Sequence, residues 1–202
     1  MKRMFVAICV ITSSVLANIS YWEPDADAEV LESEPTSERG ASECLSVQYN
    51  YIEEEERSFI HFDLSDVSPG TYIESGILYF RLWWTMFNSG ILTVCKVEDD
   101  WEEYAITWNN QPEYDPDKIL YQDWIPQWQE YMSIELDGSI IQEWVDDPLD
   151  NYGMVLVADP CFFYGQLMFM SRETDDEPYL ELNPYPFPVE SLSWGLIKAT
   201  EW

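Results

Sequence analysis

Short stretches that alternate apolar and polar residues recur along this chain and are separated by turn-forming residues. They predict strands at residues 28–31, 45–51, 58–64, 73–84, 91–97, 131–136, 153–158, 166–171 and 179–182. Ser68-Pro69-Gly70 and Asn88-Ser89-Gly90 are typical of the turns between them. One short helix is predicted at residues 139–145, from apolar residues at helical spacing. This pattern favours the all-β class, as an antiparallel, jelly-roll-like β-sandwich.

The chain ends carry signals of export and of a tail. Residues 1–17 have a basic start, an apolar run and a small residue at the end, which predicts a signal peptide. The apolar run is too short to span a bilayer readily, although an uncleaved anchor stays open as the alternative. Residues 18–24 are expected to form a lead-in and residues 25–184 the sandwich domain. The Pro-rich residues 185–202 are expected to form a linker and a C-terminal tail.

The charge of the chain excludes some classes of partner. There are 39 acidic residues against 9 basic ones, and the formal net charge is −30. Binding to nucleic acid or to an anionic membrane depends on Lys and Arg that neutralise phosphate, so neither partner is expected. The hydrophobic content of 47% nevertheless predicts a folded domain and not a disordered one.

Alternation along two predicted strands separates core positions from surface positions. Leu78, Phe80, Leu82 and Trp84 form one apolar stripe, and Ser58, Ile60, Phe62 and Leu64 form another. If the two strands share a sheet, the residues between these positions form an aromatic and polar outer face. That face would contain Phe59, His61, Tyr79, Arg81 and Trp83. Trp124 and Trp128 lie in a polar aromatic segment, predicted to be a loop, and are the second candidates for ligand contact.

Several short motifs follow one another in the order of a known extracellular family. They are Asp27-Ala28-Glu29-Val30, Leu45-Ser46-Val47, Arg57, Phe62-Asp63-Leu64-Ser65, Ser68-Pro69-Gly70, Asp100-Trp101, residues 107–112, residues 142–145, Asn151-Tyr152-Gly153, Ser171-Arg172-Glu173 and residues 178–181. The chain resembles the disaggregatase-related repeat (DNRLRE) domain, some members of which are classed as carbohydrate-binding modules. The resemblance implies a non-catalytic β-sandwich and supplies no catalytic residues.

The resemblance also implies structural roles for three tryptophans. Trp101, Trp108 and Trp144 stand at signature positions of the family, where aromatic side chains fill the core and its corners. Some members of the family bind alginate. A polyuronate requires a basic surface, so this acidic chain is expected to bind a neutral glycan, or a polyanion bridged by calcium.

The many carboxylates of the chain do not by themselves indicate catalysis or a cofactor. A glycosidase needs two carboxyl groups at a defined separation, which sequence density does not establish. With His61 as the single histidine, no usual zinc site is expected and no cofactor is required. Structural calcium is the one metal that the acidic residues favour. The candidate ligands are Asp25, Asp27, Asp146, Asp147 and Asp150.

Three cysteines follow the predicted signal peptide, namely Cys44, Cys95 and Cys161. In an exported protein this odd number predicts one disulfide and one remaining thiol. All three pairings stay open, and Cys95–Cys161 is preferred because both residues lie in the strand-rich centre and second half of the chain.

These observations predict a secreted or cell-surface module that binds extracellular polysaccharide through an aromatic sheet face, without catalysis. The alternative is a structural or adhesive surface protein that assembles through its sandwich and its C-terminal tail. Its partners would then be other surface proteins or further copies of the chain.

Overall fold

The computed structural model describes residues 20–49, 55–68, 70–86, 91–125, 130–158 and 165–184. Most of them lie in strands, and one short α-helix follows the eighth strand. The strands are β1 Ser20–Trp22, β2 Ala26–Leu31, β3 Cys44–Tyr49, β4 Glu56–His61, β5 Ile73–Met86, β6 Ile91–Val97, β7 Tyr114–Trp124, β8 Tyr131–Asp137, β9 Met154–Ala158, β10 Gly165–Met170 and β11 Tyr179–Pro184; the helix is α1, Gly138–Asp146.

The strands pair antiparallel in a curled sheet, which confirms the predicted all-β, sandwich-like fold. Their order is β1-β11-β5-β10-β3-β4-β9-β6-β7, with β2 on β4 and β8 on β5. The long strand β5 joins the two layers. Its first part pairs with β8 and β11, and its last residues pair with β10.

Two strands lie where the sequence did not predict any. Ser20–Trp22, in the predicted lead-in, pairs with β11. Tyr114–Trp124 pairs with β6, so the start of the predicted polar loop is an edge strand at the end of the strand order. The sequence of β7 does not show the alternation typical of a strand, because it contains Pro116 and most of its side chains are polar and exposed. Both are tolerated at an edge, where one side of the strand needs no ladder partner.

A β-bulge interrupts the alternation of β5 near its end. Phe169 pairs with Leu82 and Met168 pairs with Trp84, so Trp83 is the extra residue. A bulge breaks the strict two-residue period of side-chain direction. Trp83 and Trp84 are consequently both exposed. The prediction that Trp84 points inward was therefore wrong.

The main core lies between the two layers. It contains the predicted inward residues Ile60, Phe62 and Leu64 of one stripe and Leu78, Phe80 and Leu82 of the other. Helix α1 closes one end of this core with Ile141 and Trp144. The carboxylate of Asp137 caps the helix by accepting a hydrogen bond of 2.7 Å from the backbone N–H of Ser139. Within the described residues, no helix is long and apolar enough to cross a membrane.

A second, smaller core lies on the other face of the layer that contains β4. Its buried members are Ala28, Val30, Phe59, Cys95, Val97, Ile106 and Val155. Trp101 and Trp108 pack against them from residues 98–113, which follow β6, and Tyr114 does so from the start of β7. We call residues 98–113 the cover segment, because they separate this face of the sheet from solvent.

Candidate functional site

The cover segment removes one predicted ligand residue from the surface. Phe59 is fully buried, and the centre of its ring lies 5.8 Å from that of Trp101. The indole nitrogen of Trp101 donates a hydrogen bond of 2.9 Å to the carbonyl oxygen of Tyr152. The prediction that Phe59 binds ligand was therefore wrong, because an alternating strand can bury both of its faces when a second layer covers it.

The three signature tryptophans have the structural roles that the resemblance implied. Trp144 is buried in the main core, whereas Trp101 and Trp108 pack against the second core. The guanidinium of Arg57 lies 4.8 Å from the centre of the Trp108 ring, which is within cation–π range. This contact holds the cover segment against β4.

His61 lies in a polar contact at the end of β4 and not on an open binding face. Its Nδ1 is 2.6 Å from a carboxylate oxygen of Asp25, and its Nε2 is 3.0 Å from the carbonyl oxygen of Asn151. Because both partners are acceptors, both ring nitrogens can donate only in the imidazolium form. Burial opposes this charge, but the hydrogen bond and the charge of Asp25 raise the pKa of His61 above 6.5.

Tyr79 and Arg81 lie in the other layer, where they belong to an aromatic surface away from His61. Tyr79 pairs with Tyr179 of β11 across the sheet, and their rings stack at 4.5 Å with an angle of 14°. Tyr21 of β1 meets Tyr179 edge to face at 5.6 Å. The phenolic hydroxyl of Tyr79 donates a hydrogen bond of 3.1 Å to Glu181, which fixes the orientation of its ring.

These rings border a groove with a volume of about 730 Å³, which we call the tyrosine groove. Its lining residues are Tyr21 and Glu23 from β1 and the turn after it, Tyr79, Phe80 and Arg81 from β5, Tyr131, Met132 and Ser133 from β8, Asp175, Asp176 and Glu177 from the loop before β11, and Tyr179 from β11. Tyr21 and Tyr131 are 60% and 64% exposed, so their rings are available to a ligand.

Arg81 lines the tyrosine groove and forms ion pairs with acidic neighbours. Its guanidinium forms ion pairs with Asp176 and, at 3.4 Å, with Glu130. It also lies 5.8 Å from the centre of the Tyr131 ring. These contacts orient Arg81 between a carboxylate wall on one side and an aromatic ring on the other.

The loop that forms this wall is anchored by one of the family motifs. The Arg172 guanidinium donates to both carboxylate oxygens of Glu103, at 2.9 and 3.0 Å, through Nη1. The backbone N–H of Arg172 donates to Asp27 at 2.8 Å. The Ser171 hydroxyl donates to the carbonyl oxygen of Ser42 at 2.6 Å. The motif therefore fixes the position from which Asp175, Asp176 and Glu177 reach the groove.

The sequence prediction missed most of the lining residues. Alternation alone could have placed Tyr131 and Tyr179 outward, since Met132 and Leu180 beside them are buried. No sequence signal could have shown that Tyr21 forms a strand next to β11, or that the loop before β11 rises beside Arg81. Both depend on strand order, which alternation does not encode.

Two further predicted ligand residues, Trp83 and Trp124, are not among the residues that line the tyrosine groove. Trp83 is 57% exposed at the bulge of β5, two residues beyond Arg81. Trp124 is exposed at the end of the edge strand β7. Trp128 lies outside the described residues. Direct glycan contact by these tryptophans stays a prediction.

The candidate calcium ligands were predicted in two groups, Asp25 and Asp27 near the first strand and Asp146, Asp147 and Asp150 after the helix. Among the described residues, the acidic group with metal-like spacing is Asp27, Glu103 and Glu173, whose oxygens lie within 4.8 Å of one another. Burial raises the pKa of Asp27 to about 8. In this group Glu103 already forms an ion pair with Arg172, which reduces the negative charge that would attract a cation. Calcium binding stays a prediction.

The other candidate calcium ligands have separate surroundings. Asp25 pairs with His61. Burial raises the pKa of Asp25, but the hydrogen bond and the charge of this imidazole, together with backbone hydrogen bonds, lower it below its ordinary value. Asp146, Asp147 and Asp150 are exposed around the end of α1. Asp146 accepts a hydrogen bond of 2.9 Å from Gln142.

Two of the three predicted disulfide candidates lie within the described residues. Cys44 and Cys95 carry free thiols there, and Cys95 is buried in the second core. Cys161 lies outside the described residues, so the Cys95–Cys161 disulfide stays a prediction. Burial raises the pKa of Cys44 and of Cys95 to about 11, so both thiols are protonated at neutral pH.

Comparison with known proteins and protein families gives evidence on the family of this chain. No curated protein matches the chain. The model of carbohydrate-binding module family 96 matches residues 18–184, which include every described strand. This match supports the carbohydrate-binding-module part of the predicted resemblance, whereas the assignment to the disaggregatase-related repeat stays a prediction. With most of its length matched, the chain belongs to carbohydrate-binding module family 96.

Proposed function

We propose that this protein is a secreted, non-catalytic module that binds extracellular polysaccharide in the tyrosine groove. The observation that carries the proposal is the stacked Tyr79–Tyr179 pair, with the exposed rings of Tyr21 and Tyr131 beside the same groove. Membership of a carbohydrate-binding family supports the ligand class.

The arrangement of the groove suits a sugar chain. Sugar rings carry apolar C–H faces that pack on aromatic rings, while their hydroxyl groups form hydrogen bonds at the edges. The tyrosine rings provide such platforms, and Arg81, Ser133 and the carboxylates of the wall provide donors and acceptors.

Secretion completes the proposal but rests on the sequence alone. The signal-like residues 1–17 and the tail of residues 185–202 lie outside the described residues. The alternative function, assembly of a surface structure through the sandwich and the tail, is supported by no contact among the described residues.

A glycan array probed with residues 18–202, which lack the predicted signal peptide, tests the proposal. We expect binding to at least one polysaccharide. We expect Tyr179→Ala to weaken it by about 10-fold or more, because one ring of the groove is lost and the ring of Tyr79 loses its stacking partner. Tyr72→Ala is the matched control, since Tyr72 is 58% exposed but does not line the groove. Equal loss in both variants, or no loss in Tyr179→Ala, would contradict the proposal.

A further inference from the structure

The tyrosine groove carries an excess of negative charge. Four carboxylates line it, those of Glu23, Asp175, Asp176 and Glu177. Among the lining residues Arg81 is the one cation, and it is already paired with Asp176 and with Glu130 at the rim. The charge of Arg81 is therefore compensated before any ligand arrives.

Glu23 and Glu177 both line the tyrosine groove, and the charge of Glu23 acts on the carboxyl group of Glu177. The pKa of Glu177 is raised, first by burial and then by the charge of Glu23, while the charge of Arg172 only partly offsets this effect. Two carboxylates with this mutual repulsion favour a positively charged group between them. The net charge of −30 for the whole chain adds to this preference at longer range.

The hydrogen-bonding chemistry of the carboxylates that line the groove also favours a positively charged ligand. Ionised carboxylates only accept hydrogen bonds, so the ligand has to donate at this wall. A neutral sugar donates through its hydroxyl groups. An ammonium group donates up to three hydrogen bonds and also forms charge-assisted bonds, which are roughly twice as strong as neutral ones. A uronate carboxylate donates none and is repelled.

We propose that the tyrosine groove selects an amino-sugar polymer with free amino groups, in preference to its neutral N-acetylated form and against polyuronates. In this arrangement the tyrosine rings pack against the sugar faces, and Glu23 and Glu177 bind an ammonium group. The inference rests on the proposed function, since it assigns a ligand class to the same groove.

Three oligosaccharides of equal length test this selectivity by isothermal titration calorimetry with the full chain. They are a glucosamine hexamer, an N-acetylglucosamine hexamer and a guluronate hexamer, in mildly acidic buffer that keeps the glucosamine amines protonated. We expect the glucosamine hexamer to bind about 10-fold or more tightly than the N-acetylated one, because charge-assisted bonds contribute more than neutral ones. We expect no binding of the guluronate hexamer.

Paired variants separate the groove from the charge of the whole chain. Glu23→Gln combined with Glu177→Gln should reduce the preference for the glucosamine hexamer to within about 2-fold, since two carboxylates that line the groove are lost. Asp99→Asn combined with Asp100→Asn removes the same charge from exposed residues that do not line the groove, and should keep the preference. Equal loss in the two double variants would assign the preference to overall charge and overturn the inference.

The outcomes also distinguish the inference from the proposed function. If the N-acetylated or guluronate hexamer binds as tightly as the glucosamine hexamer and Tyr179→Ala weakens that binding, the proposed function stands and the inference is wrong. If none of the three hexamers binds, the inference is wrong, and the glycan array then decides the proposed function separately.

Discussion

At the scale of single residues, His61 couples the stability of the fold to pH. Its imidazolium donates to Asp25 and to the carbonyl oxygen of Asn151, and its pKa is raised above 6.5 in the folded protein. A raised pKa means that the folded state binds the proton more tightly than the unfolded state does. The stabilisation by His61 is therefore fully present below pH 6.5 and is lost as the pH rises through the folded pKa.

Substitution of His61 tests this coupling. We expect the free energy of unfolding of the wild type to decrease, relative to that of His61→Gln, as the pH rises from about 6 to about 9. Urea unfolding curves of both proteins at a series of pH values measure the difference. Ser33→Ala, at an exposed turn beyond β2, is the control and should follow the wild type. Parallel curves for the wild type and His61→Gln would contradict the assignment of the imidazolium.

At the scale of secondary-structure elements, the cover segment is held to β4 by its tryptophans. Trp108 packs against the second core and lies under the guanidinium of Arg57. We expect Trp108→Ala to lower the free energy of unfolding by about 3 kcal/mol, because the substitution leaves a cavity and removes the cation–π contact. Chemical denaturation measures the effect. A Trp108→Ala protein that unfolds like the wild type would show that the segment is only loosely attached.

Strand β5 extends the tyrosine groove toward an exposed tryptophan. Residues 79 and 83 are four apart on β5, which corresponds to about 13 Å along a strand. We therefore expect Trp83→Ala to weaken the binding of long oligosaccharides and to leave disaccharide binding unchanged. Calorimetry with oligosaccharides of increasing length measures this. Tyr104→Ala, at an exposed position of the cover segment that does not line the groove, is the control, and equal effects of both substitutions would contradict the extension along β5.

The elements also show which parts of the fold the sequence predicted. Clear alternation placed β5, β6 and β8 close to their observed bounds, and helically spaced apolar residues placed α1. The edge strand β7 escaped prediction because Pro116 and exposed polar residues obscure its period. Phe59 was placed on the surface because alternation in β4 does not show whether a distant segment covers its second face.

For the candidate site, the sequence predicted two central residues and missed the surroundings. Tyr79 and Arg81 alternate with buried Leu78 and Phe80, so their outward direction followed from β5 alone. The stacking of Tyr79 on Tyr179 follows from the register of β5 with β11, which joins residues far apart in the sequence. Such cross-strand neighbours depend on the whole topology and are not contained in a local pattern.

At the scale of the whole molecule, the two layers have different roles. The layer around β4 is buried on both faces, by the main core and by the cover segment. Within the described residues, the layer of β1, β5, β8 and β11 has one face that no other segment covers, and this face bears the tyrosine groove. The central claim is that ligand binds on this open face.

NMR locates the site most directly. The ring resonances of the tyrosines are followed while a polysaccharide fragment that binds the protein is titrated in. The chain has 13 tyrosines, and they lie both inside and outside the groove. We predict that the resonances of Tyr21, Tyr79, Tyr131 and Tyr179 shift on binding, whereas those of the exposed Tyr72 and Tyr104 do not. Shifts of Tyr72 or Tyr104 with the four groove tyrosines unchanged would contradict the account.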